Sequence, residues 1–265
     1  MMHRSLQYLF ERFLLRRSAL IARATRFDMR FNVMAGDAVG RTIYKHGVYE
    51  RVLTDYVINN VSFASNDLVI DVGANLGWYA LLFGVLSAGK ADVYAFEPEP
   101  NNFELLTKNI QLNGSRNVHA VQKALSDHCG PVTLYRHNAN NLGRHSLIPM
   151  NEGDVIDVES TTIDHFVASN RLEQRPVKLL KIDVEGLEIS VLRGAAETLS
   201  RTETIILEYS PELMVASGVD PADLVDCLVG HGFVPQLVVN GVLVAMDVDY
   251  LKQKTSQHNL VWTRP

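Results

Sequence analysis

Leu68-Val69-Ile70-Asp71-Val72-Gly73-Ala74-Asn75-Leu76-Gly77-Trp78 sets the fold of this chain. Five mainly apolar residues, too few for a helix, run into a Gly-x-Asn-x-Gly turn. An apolar stretch over 77–87 then reads as a helix. A strand, a glycine-rich turn and a helix in that order build a ligand site at the carboxyl edge of a parallel sheet. The glycines let the backbone approach a ligand closely, and the helix start offers unpaired N–H groups.

The pattern repeats outward from this stretch. Further strands are expected at 92–96, 118–123, 178–183, 204–208, 233–238 and 259–263. Helices are expected over 100–112, 185–199 and about 221–231. Alternating strands and helices imply an α/β class chain, with a mostly parallel sheet and helices on both faces. The interval 129–162 breaks the rhythm. Residues 132–135 and 155–161 read as strands of an inserted hairpin. The polar loop between them, His137 to Ser146, is a candidate substrate loop.

Composition narrows the function classes. The chain has 265 residues, 47% of them apolar, which suits a sizeable core. Net charge is −5, but residues 1–30 carry seven Arg against Glu11 and Asp28. The tip is therefore +5 and the body −10. An acidic body argues against broad nucleic-acid binding. Cys129 and Cys227 have no Cys-x-x-Cys or Cys/His spacing, so no metal is expected. Two thiols suit a reducing, cytoplasmic setting. No apolar run reaches 18 residues, and the N-terminus does not read as a cleavable signal peptide.

Residues 4–27 read as one amphipathic helix. Leu6, Leu9, Phe10, Phe13, Leu20, Ile21 and Ala24 share a face, and most of the arginines lie opposite. Such a helix packs on its own domain or a second subunit, lies peripherally on an anionic membrane, or is an organellar presequence.

The turn constrains the ligand. A dinucleotide fingerprint is Gly-x-Gly-x-x-Gly, whereas Asn75 stands where a pyrophosphate needs Gly. Asp71 would repel a phosphate but can pair with an ammonium. S-adenosylmethionine has that ammonium and no phosphate. A plain Asp-capped turn is the alternative. Glu97, followed by Pro98, lies 20 residues after Gly77, where an acid can take ribose hydroxyls. NAD sites use the same device. Ser126 and Asp127 follow the third strand, where they either flank an adenine or serve as ordinary turn residues.

Gly47-Val48-Tyr49-Glu50, the stretch 69–77, Phe96-Glu97-Pro98, residues 124–127, Thr161-Thr162-Ile163-Asp164 and Leu180-Lys181-Ile182-Asp183-Val184-Glu185-Gly186 occur in this order. In this the chain resembles FkbM-type methyltransferases over roughly 45–263. The resemblance implies a class I, Rossmann-like fold whose seven-stranded sheet has an antiparallel last strand. It implies S-adenosylmethionine as donor and a hydroxyl acceptor on a sugar, glycolipid or natural product. Asp71, Gly73, Asn75 and Gly77 would then cradle the methionyl end, with Glu50 closing over it. Glu97 would hold the ribose, and Ser126 with Asp127 would flank the adenine. On this division, residues 1–62 form a helical extension and 63–265 the methyltransferase domain.

Lys181, Asp183 and Glu185 fall at i, i+2 and i+4, on one side while the chain stays extended. Charges at the end of a buried parallel strand are costly unless they serve a site or pair together. Asp183 is the first candidate, as general base or cofactor neighbour; Glu185 is the second, as acceptor ligand or helix N-terminal charge, with Lys181 as their electrostatic partner. A structural Lys–carboxylate cluster is the alternative. Glu208 ends the next strand, as an acceptor ligand or a turn cap. His145 offers a base suited to neutral pH, or a surface side chain. An N-methyltransferase and a nucleotide-binding oxidoreductase remain the rival readings.

Overall fold

The structure is a computed structural model that describes residues 2–136, 145–146 and 155–265. Helix α1 (Met2–Leu9) continues as a wider π-helical turn, Phe10–Leu14. The hairpin β1 (Ala19–Arg23) and β2 (Arg30–Met34) follows, then α2 (Ala38–His46) and α3 (Arg51–Asn60). The helix expected over 4–27 therefore stops halfway. Arg16 takes a φ of +50°, which ends helical geometry. Beyond it Leu20 and Ala22 turn inward while Ala19, Ile21 and Arg23 face outward, a period of two. A strand thus stands where the spacing predicts a helix face. Tyr8, Phe31, Ile43 and Val57 share one core with Val69 and Leu81 of the sheet layer.

The sheet elements are β3 (Leu68–Val72), α4 (Trp78–Ser87), β4 (Asp92–Phe96), α5 (Pro100–Leu112) and β5 (Val118–Val121). A side sheet then intervenes, built from β6 (Ala124–Leu125), β7 (Gly130–Arg136), β8 (His145–Ser146) and β9 (Val155–Thr161). The chain returns through α6 (Ile163–Ser169), β10 (Val177–Ile182), α7 (Glu188–Arg193), α8 (Ala196–Leu199) and β11 (Thr202–Tyr209). It ends with α9 (Pro211–Ala216), α10 (Pro221–Gly230), β12 (Val234–Val239), β13 (Val242–Ala245), α11 (Val248–Lys252) and β14 (His258–Thr263).

The main sheet has the order β13-β12-β14-β11-β10-β3-β4-β5. Strands β11, β10, β3, β4 and β5 are mutually parallel, and β14 runs antiparallel between β11 and β12. The seven expected strands are thus present, with the last one reversed. An eighth, β13, is added by a tight turn at Asn240-Gly241, both with positive φ. Asn-Gly is the pair that two-residue hairpin turns favour. Successive side chains of β3 go to opposite faces. Val69 joins the core under α4, while Leu68, Ile70 and Val72 join the core under α7 and α10.

The helix expected over 185–199 is split. Glu185 and Gly186 take φ of +54° and +100°, so the backbone after β10 forms a loop before α7 begins. Gly194 separates α7 from α8. A Cβ there would lie 2.1 Å from the Ser126 carbonyl oxygen, so only glycine allows the two backbones to touch. The insertion pairs β7 with β9 antiparallel, as its strand pattern implied. The loop residues 137–144 lie outside the described residues. His145 belongs to β8 through its backbone, and its side chain is outside the description.

Candidate active site

The turn after β3 is tied to the next strand. The N–H groups of Gly73 and Ala74 donate to the Phe96 carbonyl at 3.0 and 2.9 Å. Gly73 has φ +76°, and a Cβ on it would sit 2.0 Å from the Asp183 carbonyl oxygen. The turn thus lies against the end of β10, and glycine is required twice over. Asn75 takes φ +52°, and its side-chain oxygen accepts from Leu76 N at 2.7 Å. Asn tolerates this left-handed conformation better than most side chains. Gly77 caps α4 with φ +94°.

Glu97 holds this turn from the side. Its carboxylate accepts from the Asn75 N–H at 2.8 Å and from the Glu99 N–H at 2.9 Å. Burial pushes its pKa up to about 7. Each oxygen keeps a second lone pair, and Glu97 and Pro98 line a cleft of about 630 Å³. The far wall is apolar, formed by Ala124, Leu125 and Leu134. Ser126 and Asp127 do not line it. The Ser126 N–H bonds the Thr161 carbonyl, and Asp127 accepts from His128 Nδ1 at 2.7 Å. That hydrogen bond is the main reason the Asp127 carboxyl lies below its usual range.

A second cleft, of about 560 Å³, opens on the other side of the turn. Tyr49, Asp71, Tyr79, Lys181 and Glu208 line it. The two clefts share Gly73, Asn75, Asp183 and Glu185. Lys181 is buried and donates from Nζ to Asp183 Oδ2 at 3.0 Å. Its ammonium also lies 4.8 Å from the Tyr79 ring centroid. Burial opposes the charge, but Asp183, Asp71 and Glu50 outweigh it and hold the lysine above its ordinary pKa.

Asp71 sits level with Lys181 in the β3–β10 ladder. It is 1% exposed, and neither carboxylate oxygen meets a well-placed donor. Burial raises its pKa to about 6, with Lys181 opposing and Asp183 reinforcing the rise. Glu208 is pushed well above its usual range by burial and by the charges of Asp183 and Glu185. Glu50 lines neither cleft. It accepts from the Tyr79 hydroxyl and from Asn259 Nδ2, both at 2.8 Å, and so bridges α4 to β14. Its φ is +40°, an uncommon conformation for a residue with a Cβ.

Two residues of this site escaped the sequence reading. Tyr79 looks like any core residue of an apolar helix, yet its hydroxyl meets Glu50 and its ring meets Lys181. Glu188 is wholly buried and accepts from the Gly186 N–H at 3.1 Å, which shapes the loop carrying Glu185. Burial raises its pKa to about 7. Its spacing from Glu185 is the one signal that marked it, an acid at a helix start. Among the described residues no cluster of three His, Cys, Asp or Glu side chains is placed to hold a metal. Among them, too, no helix is long and apolar enough to cross a membrane.

The methyltransferase FkbM domain model matches residues 71–235, beginning at the acid that leads the turn. The chain belongs to the FkbM methyltransferase family. This FkbM-family chain is 28% identical over 212 residues to hexuronic acid methyltransferase AglP of Haloferax volcanii, covering 80% of each chain. It is 25% identical over 186 residues to 2-O-methyltransferase NoeI of Sinorhizobium fredii, covering 64% of this chain and 74% of that one. The crystal structure of methyltransferase FkbM from Methylobacillus flagellatus KT superposes with a TM-score of 0.50 at 15% identity. That match covers 83% of this chain and 49% of the other, so the chain spans about half its length. It supports the fold, a class I methyltransferase architecture. The family removes the oxidoreductase reading.

Proposed function

We propose that this methyltransferase uses S-adenosylmethionine to methylate a hydroxyl oxygen on a sugar, glycolipid or natural-product-type acceptor. The residues fit such a donor. Asp71 offers a buried carboxylate without a well-placed donor, suited to a methionyl ammonium. The turn at Gly73 and Asn75 leaves backbone beside it, and Glu97 keeps lone pairs for a ribose diol. The apolar wall at Ala124 and Leu125 suits an adenine face. Bound there, the donor supplies a methyl group activated by a cationic sulfur.

The observation that carries the reading is the place of Asp183, at the junction of the two clefts. Alignment of nucleophile and methyl does most of the work in such a transfer. Asp183 takes the acceptor's proton as oxygen attacks, held in place by Lys181. Glu208 and Glu185 bind the acceptor's other hydroxyls. The names of the AglP and NoeI relatives support a sugar-type acceptor and transfer to oxygen.

Calorimetric titration with S-adenosylhomocysteine and, separately, with NAD tests the donor. Binding of NAD alone overturns the reading. Transfer of labelled methyl to compounds of the source organism, with identification of the product, tests the acceptor. Label on nitrogen would replace the oxygen reading with N-methylation.

A further inference from the structure

The N-terminal helix turns its apolar stripe outward. Leu6, Leu9, Phe10 and Phe13 recur at i, i+3, i+4 and i+7, and all four are exposed, Phe13 to 64%. Leu14, at 70%, and Leu15 extend the patch. The opposite face holds the helix down. Tyr8 is buried and bonds the Ala35 carbonyl, stacking obliquely on Tyr44. Arg12 reaches Tyr8 and the same carbonyl. A helix on a globular domain normally buries its apolar stripe. Six large apolar side chains within ten residues, left facing solvent, mark an interaction surface.

Charge selects the occupant. Arg12, Arg16 and Arg17 line a groove at the end of this patch, and the tip as a whole is +5. We infer that residues 6–17 dock the protein on an anionic phospholipid surface. Phenylalanine and leucine enter the acyl boundary, while Arg16 and Arg17, the latter beside Glu11, stay at phosphate level, the order in depth that a bilayer offers. The −10 body is repelled by the same surface, which orients the tip toward it. A second copy of the chain fits less well. Pairing the patch with its own copy would set the arginines of two +5 tips against each other. The arginine-lined groove and the cleft that holds Glu208 flank one end of α2, since Asp37 borders the groove and Val39 the cleft. An acceptor anchored in that surface would stand beside the cleft. The docking itself is independent of the methyl-transfer reading.

The test is co-flotation of the full chain with vesicles of phosphatidylcholine alone or mixed equally with phosphatidylglycerol. The expected result is binding to the mixed vesicles only, weakening as salt is raised. Phe10→Ser with Phe13→Ser should weaken binding by more than about tenfold. Arg16→Gln should weaken it about fivefold. Val215→Ser, on a distant exposed site, should leave it unchanged. These positions are exposed, so circular dichroism should show the fold intact. Equal binding of the wild type and the Phe double variant overturns the proposal. So does a wild-type molecular mass of two chains that the double variant reduces to one, which would assign the patch to self-association.

Discussion

Lys181 donates to Asp183 at 3.0 Å while standing level with Asp71 on the neighbouring strand. One buried ammonium thus answers two carboxylates, with Glu50 contributing through space. Removing a partner from a buried ion pair leaves an uncompensated charge, which typically costs about 3–5 kcal/mol. Lys181→Met should therefore lower stability by roughly that amount in urea unfolding. A loss under about 1 kcal/mol would show that solvent already screens the cluster.

The raised carboxyl groups set the pH dependence of the free protein. Burial lifts Asp71 to about 6, and Glu97 and Glu188 to about 7. Each folded value lies above the ordinary unfolded one. Between about pH 4 and 7 the native state holds protons that the unfolded chain has released. Stability from these groups is therefore full at the acid end of that window and declines as pH rises through it. The melting temperature of the ligand-free chain should increase from pH 8 to pH 5. Glu97→Gln should flatten the slope, and a melting temperature that falls over the same range would contradict the burial argument.

Gly73 separates two demands that glycine can satisfy. Its φ of +76° disfavours a side chain, and its neighbour Asp183 leaves no room for one. Gly89 has a similar φ, +80°, with open space around it. Gly89→Ala should cost about 1 kcal/mol for the conformation alone. Gly73→Ala should cost upwards of about 3 kcal/mol, because β10 must move as well. Equal losses in chemical denaturation would mean that the close approach carries no weight.

What the sequence revealed followed from local chemistry. The acid-led Gly-x-Asn-x-Gly turn, Glu97 one strand later and the Lys-x-Asp run on β10 all converge on the two clefts. Their positions were readable because strand ends and turns place side chains by rule. Tyr79 was not readable, since its hydroxyl finds Glu50 only after α3 and α4 pack. The segment 15–27 misled for the opposite reason. A period of two and a period of 3.6 overlap over so few residues, and pairing with β2 decided between them. Asn240-Gly241, by contrast, carried a hairpin signal in plain view.

Glu97 connects the turn to the cleft proposed for the donor, so its removal should act on binding. Glu97→Ala deletes the acceptor of two backbone N–H groups and the lone pairs facing the cleft. Hydrogen bonds to a charged group contribute about 1.5–3 kcal/mol each, so S-adenosylhomocysteine should bind roughly ten- to hundredfold more weakly by calorimetry. Glu97→Gln, which retains one acceptor oxygen, should fall between. Unchanged affinity in both variants would remove Glu97 from the ribose role.

Asp183 is the proposed base. Asp183→Asn keeps the shape of the side chain and an oxygen for Lys181, but cannot take a proton. If it serves as base, kcat should drop by about 10²- to 10⁴-fold. Affinity for S-adenosylhomocysteine should stay within a few-fold, because the turn and Glu97 are untouched. The same variant discriminates base from scaffold through stability. Asp183→Asn leaves the buried Lys181 with Asp71 level beside it and an uncharged oxygen in place, so the melting temperature should fall less than in Lys181→Met. A variant that melts far lower with kcat intact would make Asp183 a structural partner of Lys181. Full activity with unchanged melting would move the base to Glu208, across the same cleft.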